Sequence, residues 1–210
     1  MRKLLPLAAA LVVAACTTTD VPAPPPPPDG PVADAPAWMA RVTPEDYERL
    51  ERLGEAWTQA LRQARREHSG EVEAHGALLA PGAALREVGF PNGEFRCRTI
   101  KLGSPGEGGL DYVAYGWFRC RIETRPDGGS FVKLTGSQRQ VGTLYPDERG
   151  RMVFLGSLEL GDLPASAPYG SHDNAVAAVL EQHAPGRWRL VIPWPRYESV
   201  LDVIELEPVG

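Results

Sequence analysis

Four arginines and a tryptophan are the residues of this chain best suited to binding chemistry. If residues 94–102 and 111–124 form two paired strands, period-two alternation brings Arg96, Arg98, Arg119 and Arg121 onto one face of a ribbon, together with Ile100, Leu102, Tyr115 and Trp117. Four guanidiniums so close together repel unless they are solvated or supplied with anions, and each presents a planar fork that fits a carboxylate or a phosphate. Two readings stay open. The face could take an anionic ligand, a lipid headgroup or an acidic partner. Alternatively, Tyr115 and Trp117 could cover a helix while the arginines pair with Glu45, Glu48, Glu51 and Glu123, the commoner fate of surface charge.

Catalytic groupings are poorly represented. His68, His75, His172 and His183 show no metal-site spacing on any one element. Ser171-His172-Asp173 has the letters of a hydrolase triad, but contiguous residues do not align as nucleophile, base and orienter. Gly136-Ser137-Gln138 lacks the Gly-x-Ser-x-Gly elbow, and there is no glycine-rich phosphate loop. An enzyme would require two or more of Ser137, Tyr169, His172 and Asp173 to meet in one concave pocket. Binding rather than catalysis is expected, with no cofactor and no metal. Trp188, Leu190, Ile192 and Trp194 alternate along one strand and form either part of a core or the lining of a pocket.

The elements that must position these residues fall into two classes. Thr43 is a capping residue, Pro44 suits the first helical position, and Glu45 and Asp46 suit the first turn, so a helix begins here. Tyr47, Leu50, Leu53, Trp57, Leu61 and Ala64 form its docking stripe, and a shorter helix follows over 70–79. From about Gly93 onward, short aromatic and β-branched runs separated by Gly, Pro and Asp predict strands over 94–102, 111–124, 130–135, 139–145, 151–160, 175–182, 187–193 and 201–207. Short turns pair sequence neighbours. The expected fold is α+β: an N-terminal helix pair over 38–92, packed on an antiparallel, roughly eight-stranded, lipocalin-like β-barrel or curled sheet over 93–210.

Alternation also predicts that Phe95, Cys97, Ala114, Gly116, Phe118, Cys120 and Ile122 face inward. A hairpin turning at Gly108-Gly109 sets Cys97 opposite Cys120 and favours a disulfide in an oxidising compartment.

That compartment is suggested by the N-terminus. Arg2 and Lys3 precede an apolar run over 4–15 that is too short to span a bilayer but suits a signal peptide, expected over 1–15. Val13-Ala14-Ala15-Cys16 resembles the bacterial lipobox, which would make Cys16 the acylated first residue of the mature chain. Thr17 in the following position resembles outer-membrane sorting. Residues 16–37, which include the unbroken prolines Pro24 to Pro28, are expected to form a tether. Loss of Arg2 and Lys3 takes the net charge from −5 to −7, which argues against nucleic acid as a partner. A lipid-anchored, periplasm-facing protein in the outer membrane is expected, with the membrane as one partner through Cys16.

Over nearly all of its folded length the chain resembles an uncharacterised bacterial lipoprotein family, domain-of-unknown-function family 4893. The likeness is carried by 97–103, 115–121, 133–139, 151–156 and 188–195. It implies an exported, lipid-anchored domain and carries no activity. A looser resemblance is to small periplasmic inhibitors of metalloproteases, which pair an eight-stranded barrel with one early disulfide; the capped helix from Thr43 departs from their extended arm. The expected function is a non-catalytic binding module for a small or anionic ligand, held in the barrel mouth or on the arginine face. The alternative is an inhibitor or structural partner of another envelope protein.

Overall fold

The computed structural model describes residues 35–86, 89–106, 108–147, 150–161, 169–170 and 174–209. The signal segment, Cys16, nearly all of the tether, and Ser171, His172 and Asp173 lie outside the described residues. No helix among the described residues is long and apolar enough to cross a membrane.

Helix α1 (Pro44–Glu51) starts as expected, with Thr43 Oγ1 accepting from the Asp46 amide at 3.2 Å and Pro44 in the first turn. It stops at Arg52 (φ −91°, ψ 17°), and α2 (Leu53–Ala74) follows at once. The helix expected over 70–79 is instead the end of α2 and a 3-10 turn, Gly76–Leu79. Gly70 weakens a helix without ending it, and the irregularity falls earlier, at His68 (φ −125°, ψ 34°). The two helices therefore divide at Arg52. Tyr47 also leaves the docking stripe and is exposed, whereas Ala56, Trp57, Ala60, Leu61 and Ala64 are buried.

Nine strands follow: β1 (Gly93–Leu102), β2 (Tyr112–Ala114), β3 (Phe118–Arg125), β4 (Gly128–Lys133), β5 (Gln138–Pro146), β6 (Met152–Leu160), β7 (Ala175–Ala184), β8 (Arg187–Pro193) and β9 (Leu201–Pro208). From β3 to β9 each pairs antiparallel with the next, and β1 pairs with both β3 and β9, so eight strands close into a barrel with β2 as an extra flap on β1. The cross-strand pair Gly142 and Gly156 lies beneath the Phe154 ring, and a Cβ on Gly142 would sit 2.4 Å from Gly156 Cα. Only glycine permits that approach.

The strand expected over 111–124 is broken. β2 pairs with β1 as Ile100 opposite Ala114, and β3 pairs as Cys97 opposite Phe118, so one extra residue is accommodated between them around Gly116. A bulge of this kind reverses which face a side chain takes. Ala114 and Gly116 consequently lie exposed, whereas Phe95, Cys97, Cys120 and Ile122 are buried inside. Cys97 and Cys120 form the disulfide, with Cα atoms 5.9 Å apart, but diagonally: Cys120 stands opposite Phe95.

The barrel interior is filled by Phe95, Ile122, Phe131, Leu144, Phe154, Leu180, Trp188, Leu190, Ile204 and Leu206 among others. Outside it, α2 covers β1, β8 and β9 through Trp57, Leu61, Ile100, Leu102, Val191 and Val203. Trp38 and Leu50 pack on Val153, Leu155 and Ala177. Strand β8 is thus buried on both faces, and its one fully buried cation, Arg189, has to be matched. Its Nε and Nη2 lie 2.8 and 2.6 Å from Glu181 Oε1, and Nη1 donates to the carbonyls of Ala77, Leu78 and Ala80 at 3.1, 2.7 and 2.9 Å. The Trp57 ring centre is 5.0 Å from the guanidinium. Arg189→Ala strands the Glu181 charge and three carbonyls, and is expected to cost on the order of 3–5 kcal/mol. Chemical denaturation measures the loss; one below about 1 kcal/mol, the range of an exposed pair, would refute the latch.

Candidate functional site

Strand polarity divides the molecule into two regions where charge is concentrated. Outside, the arginine face has the composition expected from the sequence but not the expected partners. Arg96 Nε donates to Glu207 Oε2 at 2.6 Å, Arg98 Nε to Glu205 Oε2 at 2.6 Å, and Arg121 Nη2 to Glu94 Oε1 at 2.9 Å. Arg119 reaches the other Glu94 oxygen at 3.5 Å. Trp117 lies under Arg96 and Arg98, 4.4 and 4.8 Å from its ring centre, with 40% of its surface exposed.

The expected pairing with Glu45, Glu48, Glu51 and Glu123 is therefore corrected. Barrel closure lays β9 beside β1, which puts Glu205 opposite Arg98 and Glu207 opposite Arg96. The helix is covered by Ile100 and Leu102, not by the exposed Tyr115 and Trp117. The signal was present in Glu205-Leu206-Glu207, whose alternation matches Arg96-Cys97-Arg98 once the first and last barrel strands are set side by side.

Inside, beginning beside the disulfide where Lys133 stands opposite Cys120, is a polar cluster that the sequence reading missed. Thr99 and Lys101 continue the inward face of β1, Lys133 that of β4, Gln140 that of β5 and Asp202 that of β9. Lys101 Nζ lies 3.0 Å from Glu198 Oε2 and 3.4 Å from Asp202 Oδ2, and Ser199 Oγ donates to Asp202 Oδ1 at 2.5 Å. Lys133 Nζ donates to the Gln138 carbonyl at 2.9 Å and to Thr99 Oγ1 at 3.3 Å, with the Phe118 ring centre 4.4 Å away. Gln140 is buried and its Oε1 has no partner. All five side chains at Thr99, Lys101, Lys133, Gln140 and Asp202 are buried.

Burial and charge work against each other here. Burial lowers the affinity of Lys101 for its proton, but Asp202 and Glu198 more than offset it and hold that lysine above the usual value. Lys133 lacks a carboxylate in contact, so burial, aided by the Lys101 charge, pulls it down to about 8. Burial pushes the Asp202 carboxyl upward. Buried charges of this kind contribute little to stability and mark functional sites.

Above the cluster a narrow mouth opens between Leu158, Val176, Ile192, Trp194 and Tyr197, with about 30 Å³ of room for water. Trp194 (φ 48°) and Glu198 (φ 71°) hold left-handed backbone in the loop that rims it. That turn separates Trp194 from Trp188, so the two indoles share no face: Trp188 belongs to the interior and Trp194 to the rim.

Among the described residues the remaining sequence candidates, Ser137, Tyr169, His68 and His75, lie in separate places. Tyr169 Oη donates to Asp46 Oδ2 at 2.7 Å beneath α1, and burial with that bond pushes its hydroxyl to about 12. The Ser137 carbonyl accepts from Gly161 N at 2.8 Å in the β5 to β6 region. His68 and His75 flank the Tyr112 ring. Among the described residues no group of His, Cys, Asp and Glu could hold a metal ion.

A family model described as "Domain of unknown function (DUF4893)" matches residues 38–206, and the chain belongs to that family. No curated protein and no solved structure matches it.

Two expected outcomes separate the buried from the exposed pairs of the arginine face. Arg98→Ala takes the main partner from Glu205, which is 2% exposed, and is expected to cost on the order of 3 kcal/mol. Arg121→Ala touches only an exposed pair and is expected to cost less than about 1 kcal/mol. Equal losses in urea unfolding would contradict this division. For Lys133, the folded group releases its proton near 8 and the unfolded one near 10.4. Between these values the unfolded chain binds more protons, so stability rises with pH across the window, and the full cost of the charge applies below it. Lys133→Met is expected to remove that rise, and a urea midpoint profile identical to wild type would show that Lys133 is not the group responsible.

Proposed function

We propose that this member of the family is an envelope lipoprotein, anchored by acylation of Cys16, whose barrel mouth binds a small amphipathic anion without chemical change. The observation that carries the reading is the buried Lys101 ammonium at the base of an apolar-walled cleft, whose 3.0 Å partner, Glu198, is itself half-exposed. A closed barrel supplies a rigid wall, and the interior below the cluster is packed, so a ligand enters only as deep as Lys101 and Asp202. Its anionic head would replace Glu198, which is 53% exposed, on the Lys101 ammonium and take the Gln138 amide that now serves Glu198. Its apolar body would lie between Ile192, Trp194 and Tyr197. The lipobox-like Val13-Ala14-Ala15-Cys16 and the Cys97–Cys120 disulfide support export to an oxidising compartment.

Titration of the purified protein with octanoate is expected to change Trp194 fluorescence, with octanol binding far more weakly and Lys101→Met losing the preference. Equal binding of octanol would refute the anionic head, and no response to either would refute the mouth as a site. Labelled palmitate is expected in the wild type and not in Cys16→Ser; an unlabelled wild type would remove the anchor.

A further inference from the structure

A second cavity, independent of the mouth, opens on the outer wall where the end of α2 meets β7, β8, β9 and β1. It holds about 230 Å³ and is lined by His75, Arg98, His183, Arg187 and Glu205. His183 is only 6% exposed, yet both of its ring nitrogens lack a partner. A neutral imidazole has one N–H and one lone pair, and leaving both unmatched away from water carries a desolvation penalty.

The surroundings say what would pair it. Three guanidiniums, Arg96, Arg98 and Arg187, share two carboxylates, Glu205 and Glu207. One positive charge is left over. Arg98 commits its Nε to Glu205 at 2.6 Å, but its Nη2 makes only a 3.5 Å contact with His75 Nδ1. Arg187 Nη1 is likewise 3.5 Å from Glu205 Oε1. Both contacts are at the outer limit of hydrogen bonding, so each guanidinium has donor capacity to spare beside the cavity. His75 is already placed: an arginine can only donate, so Nδ1 accepts, and Nε2 faces Tyr112 Oη at 2.9 Å.

We infer that this cavity is an oxyanion site for a phosphate group, held by Arg98 and Arg187 and hydrogen-bonded to His183. A carboxylate only accepts and has two oxygens. A hydrogen phosphate group both donates and accepts, which suits a neutral imidazole, and its further oxygens reach the spare guanidinium nitrogens. Burial, together with the charges of Arg189 and Arg187, keeps His183 neutral down to about 4 in the empty cavity, so the ring meets the ligand uncharged. The phosphate could be free or a monoester borne on a phosphatidic acid headgroup, since both keep the P–OH that a phosphodiester lacks.

The test uses the purified full chain in a non-ionic detergent, titrated separately with inorganic phosphate, glycerol phosphate and a short-chain phosphatidic acid. The readouts are the His183 ring nitrogen resonances and the melting temperature. At least one probe is expected to shift the His183 resonances and raise the melting temperature. His183→Leu is expected to melt at or above the wild-type temperature without ligand, because it removes two unpaired polar atoms. It should also weaken the response about tenfold or more. Arg187→Gln is expected to weaken it as well while retaining the fold through Arg98. A response to inorganic or glycerol phosphate assigns a soluble ligand, and a response to phosphatidic acid alone assigns a headgroup. Unmoved His183 resonances with all three probes, or a response unchanged in His183→Leu, would overturn the site; neither result bears on octanoate binding in the mouth.

Discussion

Arg189 is fully buried, and a guanidinium cannot be left without partners there. The fold answers by bringing Glu181 from β7 to one side and the carbonyls of Ala77, Leu78 and Ala80 to the other. The chain following α2 is therefore fixed at one height on the barrel wall, because any other docking of the helix would leave the charge or the carbonyls unmatched. Trp57 closes the remaining side. Apolar contact between α2 and the strands tolerates sliding; this polar fixture does not. The cavity beside His183 exists only because the helix ends where Arg189 requires.

Inside and outside the barrel, charge is handled in different ways. On the outer wall, the arginines of β1 and β8 meet the glutamates of β9 across neighbouring strands, which leaves a modest positive excess distributed over several side chains. At the interior end, two lysines are enclosed with one buried aspartate, and the loop carboxylate of Glu198 supplies the second negative charge from a more exposed position. The outer arrangement is a lattice whose members range from the buried Glu205 on Arg98 to the exposed Glu94 on Arg121. The inner one depends on a side chain that can leave.

Much of this was legible in the residues. Thr43-Pro44-Glu45-Asp46 marked the start of α1, and the runs of β-branched and aromatic residues marked the strands within a few positions. The α+β barrel followed from their number and from the short turns. Two features escaped for definable reasons. The bulge near Gly116 shifts register by one residue with no turn signal, so Ala114 was assigned the wrong face. The inner cluster escaped because Thr99, Lys101, Lys133, Gln140 and Asp202 come from four strands distant in sequence, each at the end of an otherwise apolar face, and their meeting depends on barrel closure. The arginine partners escaped for the same reason.

Closure also has a consequence in time. Strand β1 pairs along its length with β9, the last strand of the chain, more than a hundred positions later. Contacts so far apart are slow to form, and the sheet keeps two open edges until its final segment arrives. A chain made amino end first would thus wait, nearly complete but unsealed, for β9. The early cystine would meanwhile already staple the first rim, giving the late strand a rigid margin on which to zip.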